Sequence, residues 1–406
     1  MPTRHILIVA VDGLRASALG AYGNTTYPTS ALDEFAADSF LLDSCYAPSA
    51  DLTDVYRACW QSVHPARPQT AKYAAPSLPR LLASRGYATK LVTDAPELAS
   101  FAPSSDFDQC MQVAASSTID VVATRAKDTS HTSLARLFAA ASDVIASTAT
   151  TPPKMIWVHA RGMYGPWDAP LDLQRSLLDE GDPPPVETVA PPDFTIGDRD
   201  DPDAVFRYAC AYAAQVMVLD ACWHGVLEAA QSAGAEQEWL VLLLGARGYP
   251  LGEHRRIGGV DPRLYGEQLH VPWLMRFPDG RGRLARGGQL TSPLDLLPTL
   301  LDWIGGPAHH EPADFDGRST LPLVATPRPA WRDALVTASS SGPRAIRTAE
   351  WCLRQDAANN GHDELYVRPD DRWEINDVAK LCPDVIEGLT RAINEFLEWT
   401  THGDPS

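Results

Sequence analysis

The chain has 406 residues, 45% of them apolar, enough to bury a large core and to carry a second, smaller domain. Its 34 Lys and Arg against 52 Asp and Glu leave a formal net charge of −18, which repels phosphate backbones and anionic bilayers at long range, so nucleic acid and membranes are excluded as partners. No apolar run approaches the ~18 residues of a membrane span, and seven scattered cysteines without a CxxC pair fit reduced, buried thiols rather than a disulfide framework.

Residues 6–11 form a near-continuous apolar run, too short for a secretory leader, and are expected to be a core strand of a cytoplasmic protein. The strand ends at Asp12-Gly13. Ser30 is expected to cap a helix through Leu32 and Phe35, with Asp33 in the reciprocal capping position, and Ser77 to open another that stops at Gly86. A second apolar run at 155–158 ends at His159. From Asp182 to Pro192 five prolines exclude helix and central strand, so about 175–203 read as a surface excursion, a solvated insertion, lid or partner-facing loop. A long helix is expected over 211–232, with Tyr212, Val216, Leu219, Trp223 and Val226 on its core face and Gly234 as its stop.

The third apolar run, 239–244, ends at Gly245-Ala246-Arg247-Gly248. Residues 280–286 form a short basic loop, read as a solvated turn. After Pro322 come short strand-like pieces at 334–336, 345–347 and 351–353 and a closing helix over 383–399. The expected architecture is an α/β domain over 1–325 and a small C-terminal α+β subdomain over 326–406. In open α/β sheets the site lies beyond the carboxyl ends of the strands, which directs attention to Asp12, His159 and Arg247.

Several strings in order resemble the sulfatase branch of the alkaline-phosphatase-like hydrolases: Val11-Asp12-Gly13-Leu14-Arg15, Pro28-Thr29-Ser30, Gly86-Tyr87-Ala88-Thr89, Leu251-Gly252-Glu253-His254, Asp295-Leu296-Leu297-Pro298-Thr299 and Asp316-Gly317-Arg318-Ser319. The resemblance implies a large mixed, mostly parallel sheet flanked by helices on both faces, with a smaller C-terminal sheet. It also implies a divalent metal, usually calcium, and a nucleophile made from oxidised Cys or Ser at a helix start.

Position by position, this sequence departs from that chemistry. Of the family's two adjacent aspartates Asp12 remains and Gly13 replaces its neighbour; Ala246-Arg247-Gly248 stands where the family has Asp-His-Gly or Asp-Asn-Gly. A guanidinium in a pocket meant for a dication repels the metal and can neutralise Asp12; its alternative is to turn out to solvent. The nucleophile string aligns as Thr53-Asp54-Val55-Tyr56-Arg57, so formylglycine cannot form, and Thr53 serves equally as a helix N-cap. Tyr164 falls where the family has His, and Asp94 and Gly259 fall near its lysines.

Asp12, Gly13, Thr53, Arg57, His159, Tyr164, Ala246 and Arg247 are therefore the candidate site. No metal or other cofactor is expected, Asp12 being the clear surviving ligand; the alternative is calcium held by a site rebuilt from residues such as Asp51, Asp54 or Glu253. The expected function is a homologue without metal-dependent sulfuric ester hydrolysis, binding a small anion (a sulfate or phosphate ester) through Arg57 and Arg247, or a protein partner. A divergent ester hydrolase using Thr53 is the alternative.

Overall fold

The computed structural model describes residues 4–68, 76–114, 125–147, 152–198, 203–232, 239–305, 315–326, 331–339, 342–355 and 362–402. The chain divides into two compact units, one of Met1–Leu41, Pro79–Gly259 and Pro272–Arg286, the other of Leu42–Leu78, Val260–Val271 and Gly287–Ser406. The single boundary expected at 325/326 does not coincide with this division. The second unit takes in two earlier segments besides the C-terminal one, an interleaving that no local composition change marks.

In chain order the strands are β1 (His5–Val11), β2 (Phe40–Cys45), β3 (Ala88–Thr93), β4 (Gln109–Gln112), β5 (Lys154–Ala160), β6 (Asp193–Thr195), β7 (Trp239–Gly245), β8 (Arg256–Gly258), β9 (Trp273–Arg276), β10 (Ala285–Thr291), β11 (Ala334–Ala338), β12 (Arg344–Thr348), β13 (Trp351–Gln355) and β14 (Glu364–Val367). In the first unit the main sheet runs β9-β7-β1-β5-β3-β4. β1 is parallel to β5 and β7, β3 is parallel to β5 and β4, and β9 is antiparallel to β7. All residues of β1 and β7 are buried, which is why their sequences read as unbroken apolar runs: both faces of the sheet centre are covered.

The helix over Asp203–Ser232 buries Tyr212, Val216, Leu219, Trp223 and Val226 in this unit's core. It begins at Asp203 rather than about 211; the residues before Cys210 are exposed or half-buried, so the core-facing stripe that marks the helix in the sequence starts later than the helix itself. The expected stop, Gly234, lies outside the described residues.

The helix over Ser30–Ala37 corrects the capping expectation. Ser30 lies inside it; the backbone N–H groups of Ala31 and Leu32 donate to the Asp220 carboxylate of the long helix at 3.3 and 2.8 Å. Asp33 instead accepts from the Ala21 N–H at 2.7 Å and the Thr29 hydroxyl at 2.9 Å. The cap is tertiary, so a local motif cannot reveal it.

The Pro-rich excursion is pinned rather than free. Arg125 donates to the carbonyls of Ala169, Val186 and Thr188 at 2.5, 2.8 and 3.2 Å, the Trp167 N–H donates to Val189 O at 2.8 Å, and β6 pairs with β8. The basic loop is neutralised locally: Arg281 pairs with Asp279, Arg283 with Asp38, and Arg286 donates to Ala21 O.

In the second unit β11, β12, β13 and β14 form an antiparallel sheet in that order. Ile346, Leu353 and Leu365 pack with Ile393 of the closing helix, Pro383–His402. Among the described residues no helix is long and apolar enough to cross a membrane, and all seven cysteines are unpaired, four of them buried.

Candidate functional site

Register brings the candidate residues of the first unit together. Val11 at the end of β1 stands opposite Ala160 of β5 and Gly245 of β7, so the next residues of all three strands emerge at one end of the sheet. The Asp12 N–H donates to Ala160 O at 2.9 Å, and the Ala246 N–H donates to Val11 O at 3.0 Å. Asp12 is thereby flanked by the strand ends carrying His159 and Arg247.

Arg247 turns inward. Its Nε donates to Asp12 Oδ1 at 2.9 Å and its terminal nitrogen to Oδ2 at 2.6 Å, both side chains being buried. The guanidinium carbon lies 4.4 Å from the centre of the Tyr164 ring, within cation–π range. Burial pushes the Asp12 carboxyl up from its ordinary range, and the Arg247 charge and hydrogen bonds oppose that shift. Two parallel hydrogen bonds to one carboxylate are the strongest arrangement an arginine makes.

Gly13 is fixed by its backbone as well as by its neighbours. It has φ +77°, and a Cβ there would come within 2.7 Å of Met163 Cβ, so an aspartate cannot enter without displacing the loop after β5. The loop is held against Asp12 by the Met163 N–H, which donates to Asp12 O at 3.0 Å.

Tyr164 donates its hydroxyl to the carbonyls of Gly248 and Gly259 at 3.2 and 3.0 Å. His159 is wholly buried, and burial first, then the charges of Arg247 and Arg161, lower its pKa to about 3, so at neutral pH it is an uncharged ring. Arg161, two residues further on, was not among the sequence candidates. Its N–H donates to Asp94 Oδ1 at 2.8 Å, while its Nε stands 3.7 Å from Asp94 Oδ2. The Asp94 carboxyl is raised by burial and held back by Arg161.

Thr53 and Arg57 belong to the second unit. Asp51, not Thr53, caps the helix over Leu52–Gln61, accepting from the Thr53 N–H at 2.8 Å and the Asp54 N–H at 3.2 Å. The Thr53 hydroxyl is exposed and donates to the same Asp51 oxygen at 2.5 Å. Arg57 donates to Arg67 O at 3.3 Å, and burial lowers its pKa.

The Sulfatase family model matches residues 4–306. The chain belongs to the sulfatase family. Solved structures similar to this sulfatase-family protein include the phosphonate monoester hydrolase of Agrobacterium radiobacter, at 17% identity and TM-score 0.79 over 98% of this chain and 96% of that one. That of Silicibacter pomeroyi gives 15% identity and TM-score 0.79 over 99% and 96%. BT4656, solved in complex with its substrate D-glucosamine-2-N,6-O-disulfate, gives 16% identity and TM-score 0.75 over 99% of both chains. These likenesses establish the shared fold. A curated relative, the multifunctional alkaline phosphatase superfamily protein PehA of Trinickia caryophylli, is 26% identical over 140 residues, 33% of this chain and 26% of that protein's length.

The family's calcium does not fit the residues present in the first unit. Both Asp12 oxygens already accept from Arg247, Gly13 offers neither a side-chain ligand nor room for one and its carbonyl accepts from Tyr212, and Ala246 is apolar. A calcium ion takes ~6–8 oxygens, yet among the described residues no three His, Cys, Asp or Glu are grouped to hold a metal. Of the acids that might rebuild a site, Glu253 accepts from Arg15 at 2.5 Å and from the Leu251 N–H at 2.9 Å. Asp51 is the helix cap, and Asp54 accepts from Ser49 at 3.0 Å.

Proposed function

We propose that this sulfatase-family protein does not carry out metal-dependent sulfuric ester hydrolysis and acts by binding, holding a small anion of the sulfate or phosphate ester class or serving as a scaffold for a protein partner. The supporting observation is the bidentate Arg247–Asp12 pair, which places a fixed positive charge on the surviving ligand of the family's metal. A metal supplies several kcal/mol of charge stabilisation in the transition state; Arg247, spent on Asp12, does not supply it to a substrate. The seven unpaired cysteines support a cytoplasmic setting.

The test is metal content of the purified chain, with melting temperature measured with and without excess calcium, magnesium, manganese and zinc. The expected outcome is no stoichiometric metal and no shift. A stoichiometric ion, or a metal-dependent rise of several degrees, sinks the proposal. The alternative, a divergent hydrolase, has the short Thr53–Asp51 hydrogen bond in its favour, and metal-free turnover of 4-nitrophenyl sulfate or phosphate that disappears in Thr53→Ala would establish it.

A further inference from the structure

Arg247 is bound to Asp12, Arg15 to Glu253, and Arg125 to three carbonyls. Arg161 differs from them. Its Nε is buried without a hydrogen-bond partner among the described residues, and the carboxylate nearest to it in charge, Asp94, stands at 3.7 Å, beyond hydrogen-bond reach. The side chain is 23% exposed, so its terminal nitrogens have donors to offer to an oxyanion.

Arg161 lines a cleft of about 670 Å³ in the first unit, whose other walls include Tyr164, Pro166, Val189 and Pro191. Its volume lies in the ~300–1,000 Å³ range of small-molecule sites. The wall over 187–191 is the Pro-rich excursion, set in place by Arg125 and Trp167. Glu187, which also lines the cleft, is exposed and acts on Arg125.

We propose that this cleft binds a small organic anion, with a carboxylate, sulfate or phosphate head on the Arg161 guanidinium and an apolar body against Tyr164, Pro166, Val189 and Pro191. The proposal rests on the binding function above and moves the anion from Arg247 and Arg57 to Arg161. Apolar walls favour an aryl or alkyl anion over the bare inorganic ion, because the body gains by leaving water.

Calorimetric titration of the full chain with 4-nitrophenyl sulfate, 4-nitrophenyl phosphate and 4-nitrobenzoate tests it, with 4-nitrobenzyl alcohol as the uncharged control. At least one anion is expected to bind where the alcohol does not, and Arg161→Gln to weaken it roughly 10- to 100-fold, the usual worth of a charge-assisted hydrogen bond. Ala190→Trp, which adds bulk at an exposed lining position of the cleft, is expected to weaken it as much and decides the matter if Arg161→Gln misfolds. The ranking of the three anions names the head group. Anion binding no tighter than that of the alcohol, or unchanged in either folded variant, overturns the proposal. Release of 4-nitrophenol during the titration favours the divergent-hydrolase alternative over a binding function instead, and the Arg161→Gln comparison still decides this site.

Discussion

Each unit contains a buried arginine–carboxylate pair laid over a tyrosine ring, and the two are built differently. In the second unit Arg347 of β12 is fully buried; it donates to Glu374 Oε1 at 3.0 Å, Leu264 O at 2.9 Å and Thr337 Oγ1 at 3.3 Å, over the Tyr46 ring. Glu374 in turn accepts from the Gly266 N–H and the Cys352 thiol. That pair knits several segments together. In the first unit both nitrogens of Arg247 that meet Asp12 are given to one carboxylate at the end of a strand. An arginine and a carboxylate thus tie several segments together in one place and close on each other in the other.

The largest effect is expected from Arg347→Met, which strands Glu374 without its cation and Leu264 O without its donor; breaking such a pair costs about 3–5 kcal/mol. Urea unfolding would show it, and a loss under ~1 kcal/mol would mean that the pair is dispensable. Arg247→Met comes next, leaving Asp12 buried without its cation. Here the double variant Asp12→Leu with Arg247→Met is expected to recover most of the loss, since apolar replacement of a whole pair is often neutral. The matching Glu374→Leu with Arg347→Met is not, because Leu264 O and the Gly266 N–H still lose their partners. Equal recovery in both would erase the distinction.

The smallest effect near neutrality is a pH slope. His159 in the first unit is lowered to about 3, and His64 and His270 in the second to about 4, all chiefly by burial. An unfolded histidine titrates near 6.5, so stability is complete above that value and falls as the pH drops toward the folded values, while the unfolded chain takes up protons the fold refuses. Each pKa unit separating the states is worth about 1.4 kcal/mol. Melting temperatures from pH 7 to 4.5 are expected to fall less in His159→Gln than in the wild type; superimposable curves would remove His159 from the account.

What the sequence revealed follows from what each segment buries. β1, β5 and β7 were legible because both sheet faces are covered there. β4 was not, since all four of its residues are exposed and carry no apolar signal. In the site, Asp12 and Arg247 stood out because they occupy positions with an expected chemistry. Arg161 did not, because its significance depends on Asp94 at the end of a neighbouring strand and on a wall formed by the Pro-rich excursion. Thr53 was legible as a helix start but not as a first-turn residue donating to the cap, the cap falling to Asp51.

The close approach at Gly13 also couples two positions of the site. An aspartate at position 13 would place a side chain at φ +77° against Met163, while Arg247 still holds Asp12. Neither substitution alone rebuilds a ligand set, and each by itself damages a packed, paired core. The two positions are interlocked: an aspartate enters at position 13 only if the loop carrying Met163 moves, and the Asp12 oxygens are freed only if Arg247 is replaced.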